Sequence, residues 1–319
     1  MATSFTANTP LAVPGQLVSS SKLDLVGHVA IITGASRGIG RAIALNLALR
    51  GCSILGTCTN EASVESISSA LDNEVTKSYM ETARPRPAEL KIKGLIADIF
   101  CLDCSAVIAS QLESSFNGRV DIFINNACDP MPGIIGEMGI EEVQHSLLGN
   151  IQTPVLIVEE LVRRRFFQAN SRIIYISSLR SKQPWGRQNP LRFWNRRSEA
   201  RSRILVEDTI LCTRRGSRRE KSLCRTWAQA FGGKDEKYQF MAGTTANSVL
   251  VGLTQTEAVM NCGPEMVAEF QKEMFPTQSI PRFGQPEDVA NVVGLICSSE
   301  AKWITGSVIS ASGGGIKIG

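Results

Sequence analysis

From Leu25 onward the apolar residues follow two alternating rhythms. Short runs rich in β-branched residues are each followed by a stretch with apolar positions three and four apart, the periods of strand and helix. Residues 28–33 form the first run and predict a buried strand. Residues 41–50 predict a helix closed by Gly51, and 53–57 a second strand, so the opening unit is βαβ with a right-handed crossover. The same rhythm predicts a helix at 61–71 and a strand at 90–97 ending at Asp98. Between them, 74–89 carries Pro85 and Pro87 among charges and predicts an exposed loop that includes Tyr79. A helix follows at 105–115, a strand at 120–124, a long helix at 141–165 kinked at Pro154, and a strand at 172–177. The pattern breaks after Ser178. It resumes near Thr226 with a helix start at Trp227, a strand at 245–250, a helix at 286–298 and a last strand at 307–311. Strands alternating with helices predict an α/β fold, a doubly wound parallel sheet in a single domain over 25–319.

Composition supports that size of core. The chain has 319 residues, 43% hydrophobic and 20% charged, and no apolar run long enough for a membrane span. Residues 1–24 read as an unstructured leader, rich in Ser, Thr, Ala and Pro, without the basic start and apolar core of a secretory signal. With nine cysteines, an odd number, the expectation is reduced thiols and a cytoplasmic protein. Cys101 and Cys104 form the one close pair. A second pair is lacking and the histidines are just His28 and His145, so no metal site is expected. The net charge of +4 is uneven: residues 180–225 hold twelve Arg and two Lys against four acids.

The chemistry begins at the turn after the first strand. Gly34, Ser36, Arg37, Gly38, Ile39 and Gly40 lie between a strand and a helix, where glycine lets a backbone approach a pyrophosphate and a helix N-terminus offers free N–H groups and a positive dipole end. A glycine pattern in that context is far more specific than one alone.

The spacing Thr-Gly-x-x-x-Gly-x-Gly at 33–40 resembles that of the classical short-chain dehydrogenase/reductase family, which has a Rossmann-type fold. Other motifs are similar to the family's in the same order. The stretch 125–128 resembles its Asn-Asn-Ala-Gly, with Asn126 and Ala127 kept and Cys128 in place of Gly. Asp98 matches the acid that bonds adenine, Asn150 the catalytic Asn, and Ser178 the catalytic Ser. The stretch 247–256 resembles the segment that places Thr254 and Thr256 against the nicotinamide amide and the phosphates. Two C-terminal signatures, at 282–290 and 304–314, complete the resemblance over 25–178 and 226–315. It implies an oxidoreductase with a small carbonyl or alcohol substrate, similar to the fungal secondary-metabolism members, and a homo-oligomer joined through a four-helix interface.

The cofactor expected is NADP. An NAD site places an acid after the second strand for the ribose 2′-hydroxyl, and residues 56–60 hold none. Arg37 can give a 2′-phosphate a charged bidentate contact.

One family feature is missing. The resemblance implies a Tyr, with its pKa lowered by a Lys four residues on, at about residues 190–194, which read Pro-Leu-Arg-Phe-Trp. The tyrosines are Tyr79, Tyr175 and Tyr238, and none has Lys at the fourth place. The segment 184–224, Arg-rich and without a clean amphipathic period, replaces the family helix that carries both residues and packs in the interface. Three readings remain open: a fault in the coding sequence, a divergent protein without the usual acid, and a basic insert that binds a polyanion. Nucleic acid is not the expected partner. The functions that follow are an NADP-dependent ketone reductase or alcohol dehydrogenase, a cofactor-binding protein of the same fold without catalysis, or a polyanion binder. Residues 256–281 predict a substrate lid whose Met260, Met266, Phe270, Met274 and Phe275 either line an apolar pocket or form helix core.

Overall fold

The computed structural model describes residues 22–128, 138–179 and 217–317. Residues 1–21, within the stretch expected to be a leader, and most of the Arg-rich segment lie outside the described residues. The Arg50 guanidinium grips Asp24 with two hydrogen bonds, and Leu25 is buried.

Seven strands form one parallel sheet: β1 (Val29–Ile32), β2 (Ser53–Cys58), β3 (Ile92–Ile96), β4 (Val120–Asn125), β5 (Phe167–Ser178), β6 (Thr245–Val251) and β7 (Val308–Ala311). Their order is β3-β2-β1-β4-β5-β6-β7, with every neighbouring pair parallel. The chain runs outward one way from β1 and the other way from β4. The crevice at the C-terminal ends of β1 and β4 is thus the topological switch point, where doubly wound sheets bind ligands.

Both faces of the sheet are covered, which is why the central strands read as unbroken apolar runs. On one face α1 (Gly38–Leu49) packs beside α10 (Pro286–Cys297). On the other lie α4 (Cys104–Phe116), α6 (Thr153–Arg163) and α7 (Ser217–Phe231).

The first half of the stretch read as an exposed loop is helix. Helix α2 (Glu61–Glu65) passes through a π-type turn, Ser66–Leu71, into α3 (Asp72–Glu81). Ile67, Leu71, Val75 and Tyr79 are all buried at a spacing of four, a narrow stripe hidden among charges. Tyr79 is therefore core, its hydroxyl donating to the Ala48 carbonyl at 3.0 Å. The long helix expected at 141–165 divides into α5 (Ile140–Leu147), a π-type turn Leu148–Gln152, and α6. The widened turn lies just before Pro154, which has no N–H to donate and whose ring crowds the carbonyl four residues back. Helix α7 starts ten residues before Trp227. Cys224, Trp227 and Phe231 are its buried stripe, and they join Tyr175 and Ile173 of β5 in the core. Part of the Arg-rich segment thus ends in a core-packed helix, while 180–216 lies outside the described residues.

Among the described residues no helix is long and apolar enough to cross a membrane.

Candidate active site

The strand ends at the switch point assemble the site. Thr33, fully buried at the end of β1, locks it to β4: its Oγ1 accepts from Asn126 N at 2.9 Å and Ala127 N at 3.0 Å. Asn126 reaches back, its Nδ2 donating to the Thr33 carbonyl at 2.9 Å and the Gly34 carbonyl at 3.2 Å. β2 holds the turn from the other side, where Gly34 N donates to Thr57 Oγ1 at 3.3 Å and Ala35 N to the Thr57 carbonyl at 3.0 Å.

All three glycines of this turn have a conformational or steric reason, and Gly38 has φ +57°. Gly34 has φ +68°, a left-handed conformation that side chains disfavour. Gly40 faces the Gly34 carbonyl so closely that a Cβ would overlap it and would lie 2.6 Å from Asn126 Nδ2. The first turn of α1 therefore lies directly on the loop, with its leading N–H groups lacking intrahelical acceptors. This is the cradle a pyrophosphate needs, and the residues present fit a dinucleotide.

The flanking residues suit the rest of such a molecule. Arg37, the N-cap of α1, is exposed and makes no ion pair among the described residues, whereas Arg41, one turn on, is paired with Glu74 at 2.6 Å. Ser36 is tied in through its carbonyl, which accepts from Ser66 Oγ at 3.3 Å. Beyond β2, Asn60 N-caps α2 by accepting from Ser63 N at 2.9 Å, and Glu61 follows it in the first turn of α2. Asp98, half-buried after β3, has one carboxylate oxygen occupied by Phe100 N at 3.0 Å.

Thr254 follows β6, buried, its hydroxyl donating to the Gly252 carbonyl at 3.0 Å. Thr256 N-caps the short helix α8 (Glu257–Met260), and its Cγ2 would be 3.6 Å from a Cβ on Gly38. The start of the expected lid is thus brought against the glycine turn, as the motif spacing implies. Ser178 is half-buried at the C-terminal end of β5, paired in register with Val251. Asn150 is buried in the π-type turn, its Nδ2 donating to Ser146 Oγ at 3.2 Å. The alternative left open for the lid is partly resolved. Phe270 is buried with Cys262 against Leu253, Val259 and Met266, so α9 (Pro264–Met274) and its neighbours form a small core of their own. Phe275 packs edge-on against Phe283.

The tyrosines lie elsewhere. Tyr79 bonds at the far end of α1, Tyr175 is buried against Trp227, and Tyr238 packs edge-on against Phe231. Cys101 is exposed, and burial pushes the Cys104 thiol up to about 12, so this pair presents no thiolate couple. The sequence motifs point to the glycines and Arg37 and give no role to Thr33, Thr57 or Asn60. Thr33 had a signal, its fixed place at the head of the glycine motif. Thr57 had none, because its role depends on strand pairing.

Comparison with known proteins agrees with this geometry. A family model described as short chain dehydrogenase matches residues 28–190, and one described as Enoyl-(Acyl carrier protein) reductase matches 221–315. The unmatched interval falls inside the Arg-rich segment. The chain is 31% identical over 301 residues to the short chain dehydrogenase penD of Penicillium thymicola, covering 93% of this chain and 95% of that one. It is 27% identical over 308 residues to a chloroplastic NADPH-dependent aldehyde reductase-like protein of Arabidopsis thaliana, covering 93% and 97%. A solved short chain dehydrogenase from Burkholderia cenocepacia, in complex with NADP, shares the fold with a TM-score of 0.67 at 20% identity, over 92% of this chain and 99% of that one. Locked glycine turn, seven-stranded order and matched relatives agree, and the chain belongs to the short-chain dehydrogenase/reductase family of oxidoreductases.

Proposed function

We propose that the protein binds NADP(H) at the β1–α1 turn and acts, with weak general-acid help, on the carbonyl or alcohol group of a small hydrophobic substrate. The observation that carries this reading is Arg37: an exposed guanidinium on the glycine turn, without an acidic partner among the described residues, while residues 56–60 at the close of β2 include no acid. A 2′-phosphate would meet a charged donor there. The NADPH named for the Arabidopsis relative and the NADP in the Burkholderia structure are in keeping with it.

The site residues then divide the work. Gly34, Gly38, Ile39 and Gly40 hold the pyrophosphate through backbone N–H groups, with Ser36 and Arg37 at the ribose side. Asp98 receives the adenine. Asn126, Ala127, Thr254 and Thr256 bound the nicotinamide half. When bound, the nicotinamide exchanges a hydride with the substrate carbon. The Ser178 hydroxyl donates to the substrate oxygen, and Asn150 holds a water beside it. The group that would protonate that oxygen in the family is absent, and general-acid assistance is worth about 10²–10⁴ in rate.

A second reading, cofactor binding without turnover, is favoured by the same absence, since none of the three tyrosines carries a Lys partner and two are bonded or packed away from the strand ends. NADPH oxidation against a panel of aldehydes and ketones, run beside a binding titration, tests both. The expected result is clear binding with slow turnover. Rapid turnover would mean that another group supplies the proton, and absence of binding would refute both readings.

A further inference from the structure

A second opening lies at the end of β7. It is a cavity of about 270 Å³, bounded by the chain just after β6, the chain returning from the expected lid, the start of α10 and the residues that close β7. Its lining shares Thr254 with the cofactor site but includes neither Ser178 nor Asn150 nor a residue of the glycine turn. Backbone hydrogen bonds tie the walls together. Gly284 N donates to the Leu253 carbonyl at 2.9 Å, Gln255 N to the Gly284 carbonyl at 2.7 Å and Ile280 N to the Gly313 carbonyl at 2.8 Å. The cavity is thus part of the fold.

The chemistry of the walls narrows what could enter. Leu253, Ile280, Val289 and Val292 line it, and Ile280 is 55% exposed, so an apolar body seated there would cover surface that water now touches. The two charged groups of the lining cancel, since the Arg282 guanidinium grips Asp288 at 2.7 and 3.0 Å. An ionic occupant would oppose one of them, and a neutral one opposes neither. One polar atom is left over. Gln278, 8% exposed, also lines the cavity. Its Nε2 donates to the Ser312 carbonyl at a long 3.5 Å, and its buried Oε1 accepts no hydrogen bond among the described residues. Turning the amide over would set Oε1 against the Ser312 oxygen, so the oxygen is the end that lacks a donor. A buried amide oxygen without a donor is costly. The terminal torsion of a glutamine is soft, and a small turn offers Oε1 to a donor in the cavity.

We propose that this cavity is a second small-molecule site, for a neutral compound with an apolar ring and one hydroxyl group that donates to Gln278 Oε1. Apolar walls with few polar groups are the usual make-up of such sites. A cavity of about 150 Å³ is enough to hold benzene, so a substituted ring has room here. The site is separate from the strand-end chemistry and is independent of whether the protein turns over a substrate.

Phenol and toluene, alike in shape and different in the hydroxyl, are the probes, and ligand-detected NMR titration measures each. The unaltered protein is expected to bind phenol at least as tightly as toluene, although toluene leaves water more readily. Gln278→Met keeps a long flexible side chain and removes the acceptor. It is expected to weaken phenol at least about tenfold and to leave toluene no weaker. Val292→Phe places a ring in the cavity and is expected to weaken both probes at least about tenfold. Thermal melts check that each variant is folded. Phenol that fails to bind the unaltered protein, or binds it more weakly than toluene, overturns the proposal whichever variant folds. Phenol affinity that either folded variant leaves unchanged overturns it as well.

Discussion

Gly40 and Gly34 face each other across the β1–α1 turn with no room for a Cβ on Gly40, because the Gly34 carbonyl and the Asn126 amide already occupy that space. Gly40→Ala is therefore expected to push α1 away from the loop and to abolish NADPH binding while the domain remains folded. Overpacking of this kind costs about 1–3 kcal/mol. Calorimetric titration beside a thermal melt checks both parts.

Thr33 links the same turn to β4. Thr33→Val keeps the shape but leaves Asn126 N and Ala127 N without their acceptor. A buried donor left unsatisfied costs about 1–3 kcal/mol, so urea denaturation should register a loss of that order. Thr33→Ser, which keeps the oxygen, should retain most of the stability.

How far this site was legible follows from the kind of contact each residue makes. The glycines, Arg37 and the Asn126–Ala127 pair stand in local patterns with a steric or charge reason that can be read from spacing. Helix α3 was not legible. Its buried face is one residue wide, and Pro85 and Pro87 follow it closely, so charge and proline outweighed the stripe of Val75 and Tyr79. The start of α7 was hidden in the same way, since its apolar stripe is confined to Cys224, Trp227 and Phe231 beside an Arg-rich run. Thr57 and Asn60 serve through strand register and a cap, and no spacing of residue types announces either.

The base of the lid carries a pH-sensitive contact. Asp288 accepts from Arg282 and from Gln285 N, at 2.7 and 2.6 Å, and the guanidinium holds its carboxyl below the ordinary carboxylate value. A depressed folded value means that the contact stabilises above about pH 3.9, the unfolded reference, and is lost as pH falls through the folded value. The melting temperature of Asp288→Asn should therefore lie below that of the unaltered protein at neutral pH and converge with it in acid. A gap that stays constant down to acid unfolding would contradict this assignment.

Catalysis should respond to a transplanted helix and not to a single residue. Leu191→Tyr alone is expected to leave turnover slow, because Asn195, and no Lys, stands four places on. Replacing 184–221 by a helix carrying Tyr-x-x-x-Lys that runs into α7 at Ser222 keeps the packed stripe of α7 and should raise the rate of NADPH-dependent ketone reduction by about 10²–10⁴. Initial rates at saturating cofactor measure the difference.

The central claim is a cofactor site that reads a 2′-phosphate through Arg37. Isothermal titration of the unaltered protein and of Arg37→Ala with NADPH and NADH tests it most directly. NADPH should bind the unaltered protein at least about tenfold more tightly than NADH, about 1.4 kcal/mol, and Arg37→Ala should narrow that gap by weakening NADPH alone. Equal affinities of the unaltered protein for the two cofactors, or a preference that survives Arg37→Ala undiminished, would contradict the account.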